Sequence, residues 1–113
     1  MMNIKEILKE YVDGLFRIIG DELKQVILYG SYARGEEKND EEVSDIDIMI
    51  LVDATPSKIK EIEKKVIDYS YDLDLKYDIL LSPIIENMNE FKSRTKEIKF
   101  YKNIKNEGVL LNE

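Results

Sequence analysis

Apolar side chains recur every three or four positions over residues 4–19, which predicts a helix with one buried face. Asn3 precedes this pattern as a helix cap, with Glu6 at the third helical position, and Gly20 follows it as a stop. The apolar positions are Ile4, Ile7, Leu8, Tyr11, Val12, Leu15, Phe16 and Ile19.

Two short apolar runs after this helix predict β-strands. Residues 25–29 form a β-favouring run that stops at Gly30, and we expect both of its faces to be covered. Residues 46–52 alternate between two faces, of which the second is acidic only where it begins. Residues 31–37 between the runs predict a short helix, and residues 38–44 a polar loop. The two faces carry Ile46, Ile48, Ile50 and Val52, and Asp45, Asp47, Met49 and Leu51.

The second half of the chain predicts a helix, a third strand and a last helix. Thr55 and Pro56 open a helix whose inward residues are Ile59, Ile62, Val66 and Tyr69. Residues 73–81 alternate between apolar and polar, which predicts a strand that Pro83 breaks. Residues 91–106 predict the last helix, with Phe91, Ile98, Tyr101 and Ile104 in the core. Gly108 ends that helix, and residues 109–111 pack back onto the domain.

This order of elements predicts an α/β (α+β) fold, a small mixed β-sheet flanked by helices, in a single domain spanning residues 1–113. Hydrophobic residues make up 43% of the chain and charged residues 36%, which is typical of a folded soluble protein. No apolar run approaches the roughly 20 residues of a membrane helix, and the N-terminus does not resemble a signal peptide. We therefore expect a cytoplasmic protein without a membrane partner.

Charge and missing residue types narrow the chemistry. The net charge is −7 and the chain has three arginines, which argues against extended nucleic-acid binding. With no cysteine and no histidine, the chain has no thiolate nucleophile, no imidazole base and neither of the commonest zinc ligands. Acid–base or metal chemistry must therefore come from carboxylates, helped by lysine or tyrosine, and oxygen ligands favour magnesium or manganese.

Gly30 and Ser31 form a candidate phosphate-binding turn. A strand that ends at Gly30 and a helix that starts at Ser31 expose backbone N–H groups that attract phosphate. The Ser31 hydroxyl adds a donor, and Arg34 lies one turn along, within reach of a phosphate oxygen. An ordinary helix cap is the alternative interpretation. A P-loop is excluded because Glu36 stands where that motif needs lysine.

Asp45 and Asp47 are candidate metal ligands. Residues two apart on a strand point the same way, with Cα atoms about 6.6 Å apart, so both carboxylates can converge on one ion or a pair of ions. Two metals about 3.5–4 Å apart can clamp the attacking and leaving oxygens of a phosphoryl transfer. Solvent-facing acids at the start of a strand are the alternative. Met49 and Ile50 exclude an EF-hand.

Asp78 is the candidate third acid. If the predicted third strand lies beside the second, Asp78 joins Asp45 and Asp47, either as a metal ligand or as the base that accepts the attacking hydroxyl's proton. Asp72 and Asp74 are rivals, but Asp78 alone precedes an unbroken apolar run. An edge-strand charge that prevents aggregation is the alternative role.

The segments Gly30-Ser31-Tyr32-Ala33-Arg34-Gly35-Glu36 and Ser44-Asp45-Ile46-Asp47-Ile48 together resemble the signature of the nucleotidyltransferase superfamily that includes DNA polymerase beta. The chain is most similar to the minimal nucleotidyltransferases, and Asp78 matches the third acid of their pattern. The resemblance implies a nucleotidyltransferase-like fold and transfer of a nucleoside monophosphate to a hydroxyl, with pyrophosphate leaving. It implies that Asp45, Asp47 and Asp78 bind two Mg²⁺ ions and that Gly30 and Ser31 hold the triphosphate of ATP.

The resemblance also implies a partner. Many minimal nucleotidyltransferases are antitoxins that attach AMP to a tyrosine of a HEPN-type ribonuclease toxin. We expect the chain to lack the acceptor-binding domains of larger relatives, so that it borrows a surface from a partner or from a second copy of itself. Two alternatives stay open: adenylylation of a small molecule such as an aminoglycoside antibiotic, and a binding antitoxin without catalysis.

Overall fold

The computed structural model describes residues 3–35 and 45–112. Across these residues the helices are α1 (Ile4–Ile19), α2 (Pro56–Tyr77), α3 (Met88–Arg94) and α4 (Lys99–Glu107). The strands are β1 (Leu23–Tyr29), β2 (Asp45–Val52), β3 (Leu80–Asn87) and β4 (Val109–Leu110), and a 3₁₀ turn, Gly20–Glu22, joins α1 to β1. Within the same residues, none of the helices combines the length and apolar character that crossing a bilayer requires.

The strands form one mixed sheet in the order β3-β2-β1-β4, which confirms the predicted sheet type. β1 pairs antiparallel with β2 and with β4, whereas β2 and β3 run parallel. Tyr29 lies opposite Asp47 on one side, and Ser82 lies beside Asp47 on the other. The end of β1 and the beginnings of β2 and β3 therefore share one edge of the sheet.

Helices cover both faces of the sheet, and β2 is the buried strand between them. Its even-numbered residues pack against α1 and α2, and Met49 and Leu51 pack against Phe91 of α3 and Ile104 of α4. The exposed fraction is no more than 1% for every residue from Ile46 to Val52 except Asp47. The predicted division of this strand into two apolar faces, one of them acidic at its start, is confirmed.

The predicted starts of α1 and α2 are also confirmed. The Asn3 side chain accepts a hydrogen bond from the Glu6 N–H at 3.0 Å, so it satisfies one of the free donors of the first turn. The Thr55 hydroxyl accepts from the Lys58 N–H at 3.3 Å, with Pro56 at the first helical position.

The predicted third strand over residues 73–81 is wrong. α2 continues to Tyr77 and β3 begins at Leu80, so Leu73 is buried on a helix while Leu75 is 68% exposed. Pro83 does not break β3 but lies within it. A proline is tolerated there because β3 is an edge strand, where a missing N–H can face away from the sheet.

The predicted last helix is two helices. α3 and α4 are separated by a turn at residues 95–97, and Ile98 is 45% exposed rather than in the core. Phe91 and Ile104 are buried as predicted, and Tyr101 packs against them. Gly108 ends α4, and the chain then packs back as β4, where the Leu111 N–H donates to the Val26 carbonyl at 2.8 Å.

The segment after β1 is a turn where a short helix was predicted. The Arg34 N–H donates to the Gly30 carbonyl at 3.2 Å, and the Gly35 N–H donates to the Tyr32 carbonyl at 3.3 Å. Residues 36–44, which include the predicted loop, lie outside the described residues.

Candidate active site

Gly30 ends β1 directly against the side chain of Asp47. Its φ is 79°, in the left-handed region that favours glycine. A Cβ at this position would lie far inside contact distance of Asp47 Oδ2. Only a glycine therefore lets the carboxylate sit over the turn, and the structure brings together the two features that the sequence singled out.

Asp47 occupies an electrostatically costly position. It is half-buried on the sheet face that carries α3 and α4. Burial raises the pKa of its carboxyl, and the charge of Asp45 raises it further, whereas Arg34 acts in the opposite direction. Because the charged carboxylate is disfavoured here, the position would gain from an additional cation.

Ser31 and Arg34 belong to the turn that follows Gly30. Ser31 directly follows Gly30 and is half-buried. The Arg34 Nη1 lies 3.7 Å from Glu107 Oε2, at the end of α4. The charge of Arg34 also reaches Asp47, as its effect on the pKa of that carboxyl shows. Gly30 and Arg34 thus lie beside the acid, and Ser31 adjoins Gly30 along the chain, whereas the binding of phosphate by these three residues stays a prediction.

Asp78 does not lie in a strand, and this part of the sequence prediction is wrong. It caps the C-terminus of α2 in the left-handed conformation, with φ 55°. Across residues 3–35 and 45–112, no group of three His, Cys, Asp or Glu side chains is arranged to hold a metal ion. The cap nonetheless lies just before β3, whose first residue, Leu80, pairs with Asp45. The catalytic role of Asp78 stays a prediction.

The two rivals of Asp78 have other positions. Asp72 is exposed on α2. Asp74 accepts a hydrogen bond from the Leu81 N–H at 2.8 Å, which secures the start of β3, and burial raises the pKa of its carboxyl. Asp74 is therefore a structural acid that joins α2 to β3.

The donor set of Asp45 and Asp47 fits one magnesium ion. Mg²⁺ prefers carboxylate oxygens and is commonly held by one or two carboxylates, with water and substrate phosphates as its other ligands. Burial and the charge of Asp45 both raise the pKa of Asp47, and a bound cation would offset this penalty on the charged carboxylate. A second ion would need ligands beyond these two acids.

A cavity of about 240 Å³ lies next to Asp47, and several of the residues that line it were not predicted to belong to the site. Tyr29, Gly30, Arg34 and Asp47 form one side of it. Burial, followed by the charge of Asp47, raises the pKa of Tyr29 to about 12, so this hydroxyl stays protonated at neutral pH. The other side is α4, through Phe100, Asn103, Ile104 and Glu107. Their helical spacing was visible in the sequence, but nothing there indicated that this face meets the acids.

Comparisons with known proteins show the family to which the chain belongs. A family model described as nucleotidyltransferase domain matches residues 1–110. A protein of Methanocaldococcus jannaschii named "putative protein adenylyltransferase" is 44% identical over 108 residues, which are 96% of this chain and 98% of that protein.

Two solved structures share the fold. A chain from a crystal structure of a toxin–antitoxin with AMP-PNP superposes with a TM-score of 0.58 at 20% identity, covering 91% of this chain and 71% of that one. A chain from the tri-AMPylated HEPN toxin of Shewanella oneidensis in complex with MNT antitoxin gives a TM-score of 0.53 at 17% identity, over 96% of this chain and 71% of that one. The family model spans nearly the whole chain, and the chain accordingly belongs to the nucleotidyltransferase domain family and is a nucleotidyltransferase.

Proposed function

We propose that this protein transfers AMP from ATP to a tyrosine hydroxyl of a partner protein, in a magnesium-dependent reaction. The observation that carries the proposal is the contact between the Asp47 carboxylate and the Gly30 turn, with Asp45 and Arg34 beside it. This arrangement sets carboxylates of the kind that bind Mg²⁺ beside a turn of the kind that binds phosphate, and it supports the proposal in that way.

Separate residues would bind the triphosphate and the metal ion. Gly30, Ser31 and Arg34 would hold the triphosphate through backbone N–H groups, a hydroxyl and a guanidinium. Asp45 and Asp47 would hold Mg²⁺, and Asp78 is the further acid that the sequence pattern suggests. The metal, when bound, neutralises charge that develops on the phosphate oxygens.

The reaction itself is a displacement at the α-phosphorus of ATP. The acceptor's hydroxyl oxygen bonds to that phosphorus, and the bond to the oxygen that bridges the α- and β-phosphates breaks. Pyrophosphate leaves with the bridging oxygen, and the hydroxyl proton passes to a carboxylate at this edge of the sheet. With no histidine in the chain, Asp78 is the candidate for that base.

The choice of a protein acceptor is supported by similarity. The relative that matches this chain over 96% of its length is named a protein adenylyltransferase. One structure that shares the fold contains an AMPylated HEPN toxin with its antitoxin. We propose a HEPN-type toxin as the partner and an antitoxin role for this chain. The use of ATP favours action in the cytoplasm.

Labelling tests the proposal directly. Purified protein is incubated with Mg²⁺, a lysate of the source cell and ATP labelled at the α-phosphate, and we expect one labelled protein band. ATP labelled at the γ-phosphate should leave that band unlabelled, because the γ-phosphate departs with pyrophosphate. Label that appears only in a low-mass product would point instead to a small-molecule acceptor.

A matched pair of variants completes the test. The Asp45→Asn, Asp47→Asn double variant should lose labelling, whereas Asp53→Asn, an exposed acid just beyond the other end of β2, should retain it. Equal labelling by the double variant and the wild type would overturn the proposal. If the double variant labels nothing yet still neutralises the partner, the protein acts on that partner by binding alone.

A further inference from the structure

The face of α4 that lines the cavity beside Asp47 carries an aromatic ring, a carboxamide and a carboxylate. Phe100, Asn103 and Glu107 are spaced so that they fall on one side of the helix, next to Ile104. Opposite them lie Gly30, Arg34 and Asp47, the residues assigned above to phosphate and metal. A group bound against α4 would therefore be adjacent to the α-phosphate.

The size of the cavity limits what it can hold. Sites for whole drug-sized ligands usually measure about 300–1,000 Å³, and this one measures about 240 Å³. It suits one planar part of a nucleotide, with the triphosphate lying outside it along the Gly30 turn. A larger cavity of about 590 Å³ on the same sheet face is lined by none of Gly30, Ser31, Arg34 and Asp47, so it is poorly placed for a base attached to those phosphates.

We propose that this cavity binds the nucleobase, that Phe100 is its stacking surface and that Asn103 makes the site selective for adenine. The inference rests on the proposed function and adds to it the residues that choose the nucleotide.

Phe100 is held in place and still accessible. Its ring makes edge-to-face contacts with Tyr29, at 5.9 Å between centroids, and with Tyr101, at 5.3 Å. The residue is nevertheless 47% exposed. A ring fixed by two neighbours with much of its surface free is a suitable platform for a base, because stacking needs a rigid apolar plane.

Asn103 offers the hydrogen-bonding groups that adenine complements. Its exposed carboxamide makes no hydrogen bond to another residue within the part of the chain that the structure describes. A carboxamide donates and accepts at once, and adenine presents an N6 donor beside an N7 acceptor. Guanine presents two acceptors, O6 and N7, at the same edge, so it satisfies only one half of the amide.

The test replaces the carboxamide of Asn103, which donates and accepts hydrogen bonds, with a carboxylate, which only accepts them. In Asn103→Asp, both oxygens accept, which suits the N1 and N2 donors of guanine and leaves adenine N7 facing a negative charge. We expect binding of a non-hydrolysable ATP analogue with Mg²⁺ to weaken about tenfold, and the preference for ATP over the GTP analogue to narrow or reverse. Asn106→Asp, on the same exposed helix but outside the cavity, is the matched control and should leave both affinities unchanged.

Phe100→Ala should weaken both analogues equally, about tenfold, because stacking does not depend on base identity. Affinities are measured by titration calorimetry, and circular dichroism checks that each variant is folded. An unchanged ATP-to-GTP ratio in folded Asn103→Asp would overturn the inference, while wild-type labelling of a partner would leave the proposed function standing. A wild-type protein that binds neither analogue would overturn both.

Discussion

Gly30→Ala tests the contact on which the site is built. The substitution forces an alanine into a left-handed conformation, at a cost of about 1–2 kcal/mol. The new Cβ would also overlap Asp47 Oδ2, and the carboxylate must retreat by about 1 Å to reach ordinary contact. Moving that side chain off its preferred rotamer adds about 0.5–1.5 kcal/mol, so the total loss is roughly 1.5–3.5 kcal/mol.

The functional loss should exceed the loss of stability. A misplacement of about 1 Å in a catalytic arrangement can lower the rate about 100-fold. Gly35→Ala is the matched control, because Gly35 has a similar φ of 73° but nothing within 4 Å of the built Cβ. It should lose only the strain, about 1–2 kcal/mol, and retain transfer of AMP.

Urea unfolding and α-phosphate labelling, run side by side, measure the two effects. The Asp47→Ala background provides a further check, because it removes the atom that the new Cβ meets. There, Gly30→Ala should cost no more than Gly35→Ala, so that the cycle gives a coupling of about 0.5–1.5 kcal/mol between the two sites. If Gly30→Ala behaves like Gly35→Ala in stability and in labelling, Asp47 does not depend on the glycine and the description of the site is wrong.

Four further predictions concern single side chains. Burial and the charge of Asp45 raise the pKa of Asp47, so ionisation of this carboxyl lowers the stability of the protein as pH rises through the folded pKa. Asp47→Asn should therefore unfold at a higher urea concentration than wild type at pH 7 in EDTA, and this gain should vanish below about pH 4. No gain at pH 7 would contradict the conclusion that Asp47 carries a disfavoured charge. Tyr11→Phe removes a buried 2.7 Å hydrogen bond to Ser70, so it should cost about 0.5–1.5 kcal/mol in urea unfolding without affecting labelling. Asp78→Asn keeps a residue that tolerates the left-handed conformation, so it should lower labelling and leave stability unchanged if Asp78 is the third acid. Full labelling by Asp78→Asn would show that Asp78 is not part of the site. Asp74→Ala should instead lower the free energy of unfolding by about 1–3 kcal/mol, because the buried Leu81 N–H loses its acceptor.

Local patterns predicted the core of the fold correctly. α1 and its cap, the two buried strands and the start of α2 each follow from a strong period or a specific capping residue. The proximity of Gly30 and Asp47 could also be foreseen from the sequence. Gly30 and Ser31 follow the end of one predicted strand, and Asp45 and Asp47 lie at the beginning of the next.

The failure at residues 73–81 has a physical cause. Leu73, Leu75 and Tyr77 alternate like a strand, but Leu73 also follows Val66 by seven positions, which continues the helical face of α2. The two periods overlap, and tertiary packing decides between them: burying Leu73 while exposing Leu75 is possible only on the helix. The position of Asp78 as a left-handed cap follows from this choice.

The role of α4 could not be inferred from local sequence. Phe100, Asn103 and Glu107 line the cavity beside Asp47 only because β4 pairs with β1, which places the adjoining helix α4 over the end of β1. That placement depends on the packing of Ile104 against Ile27 and Met49, contacts between residues that are distant along the chain.

The most direct measurement is a crystal structure of the protein with Mn²⁺ and a non-hydrolysable ATP analogue, using the anomalous signal to locate the metal. We predict a manganese peak shared by the carboxylates of Asp45 and Asp47, with the triphosphate against Gly30 and Ser31. A metal bound at other carboxylates, or a nucleotide placed away from the Gly30 turn, would contradict the account.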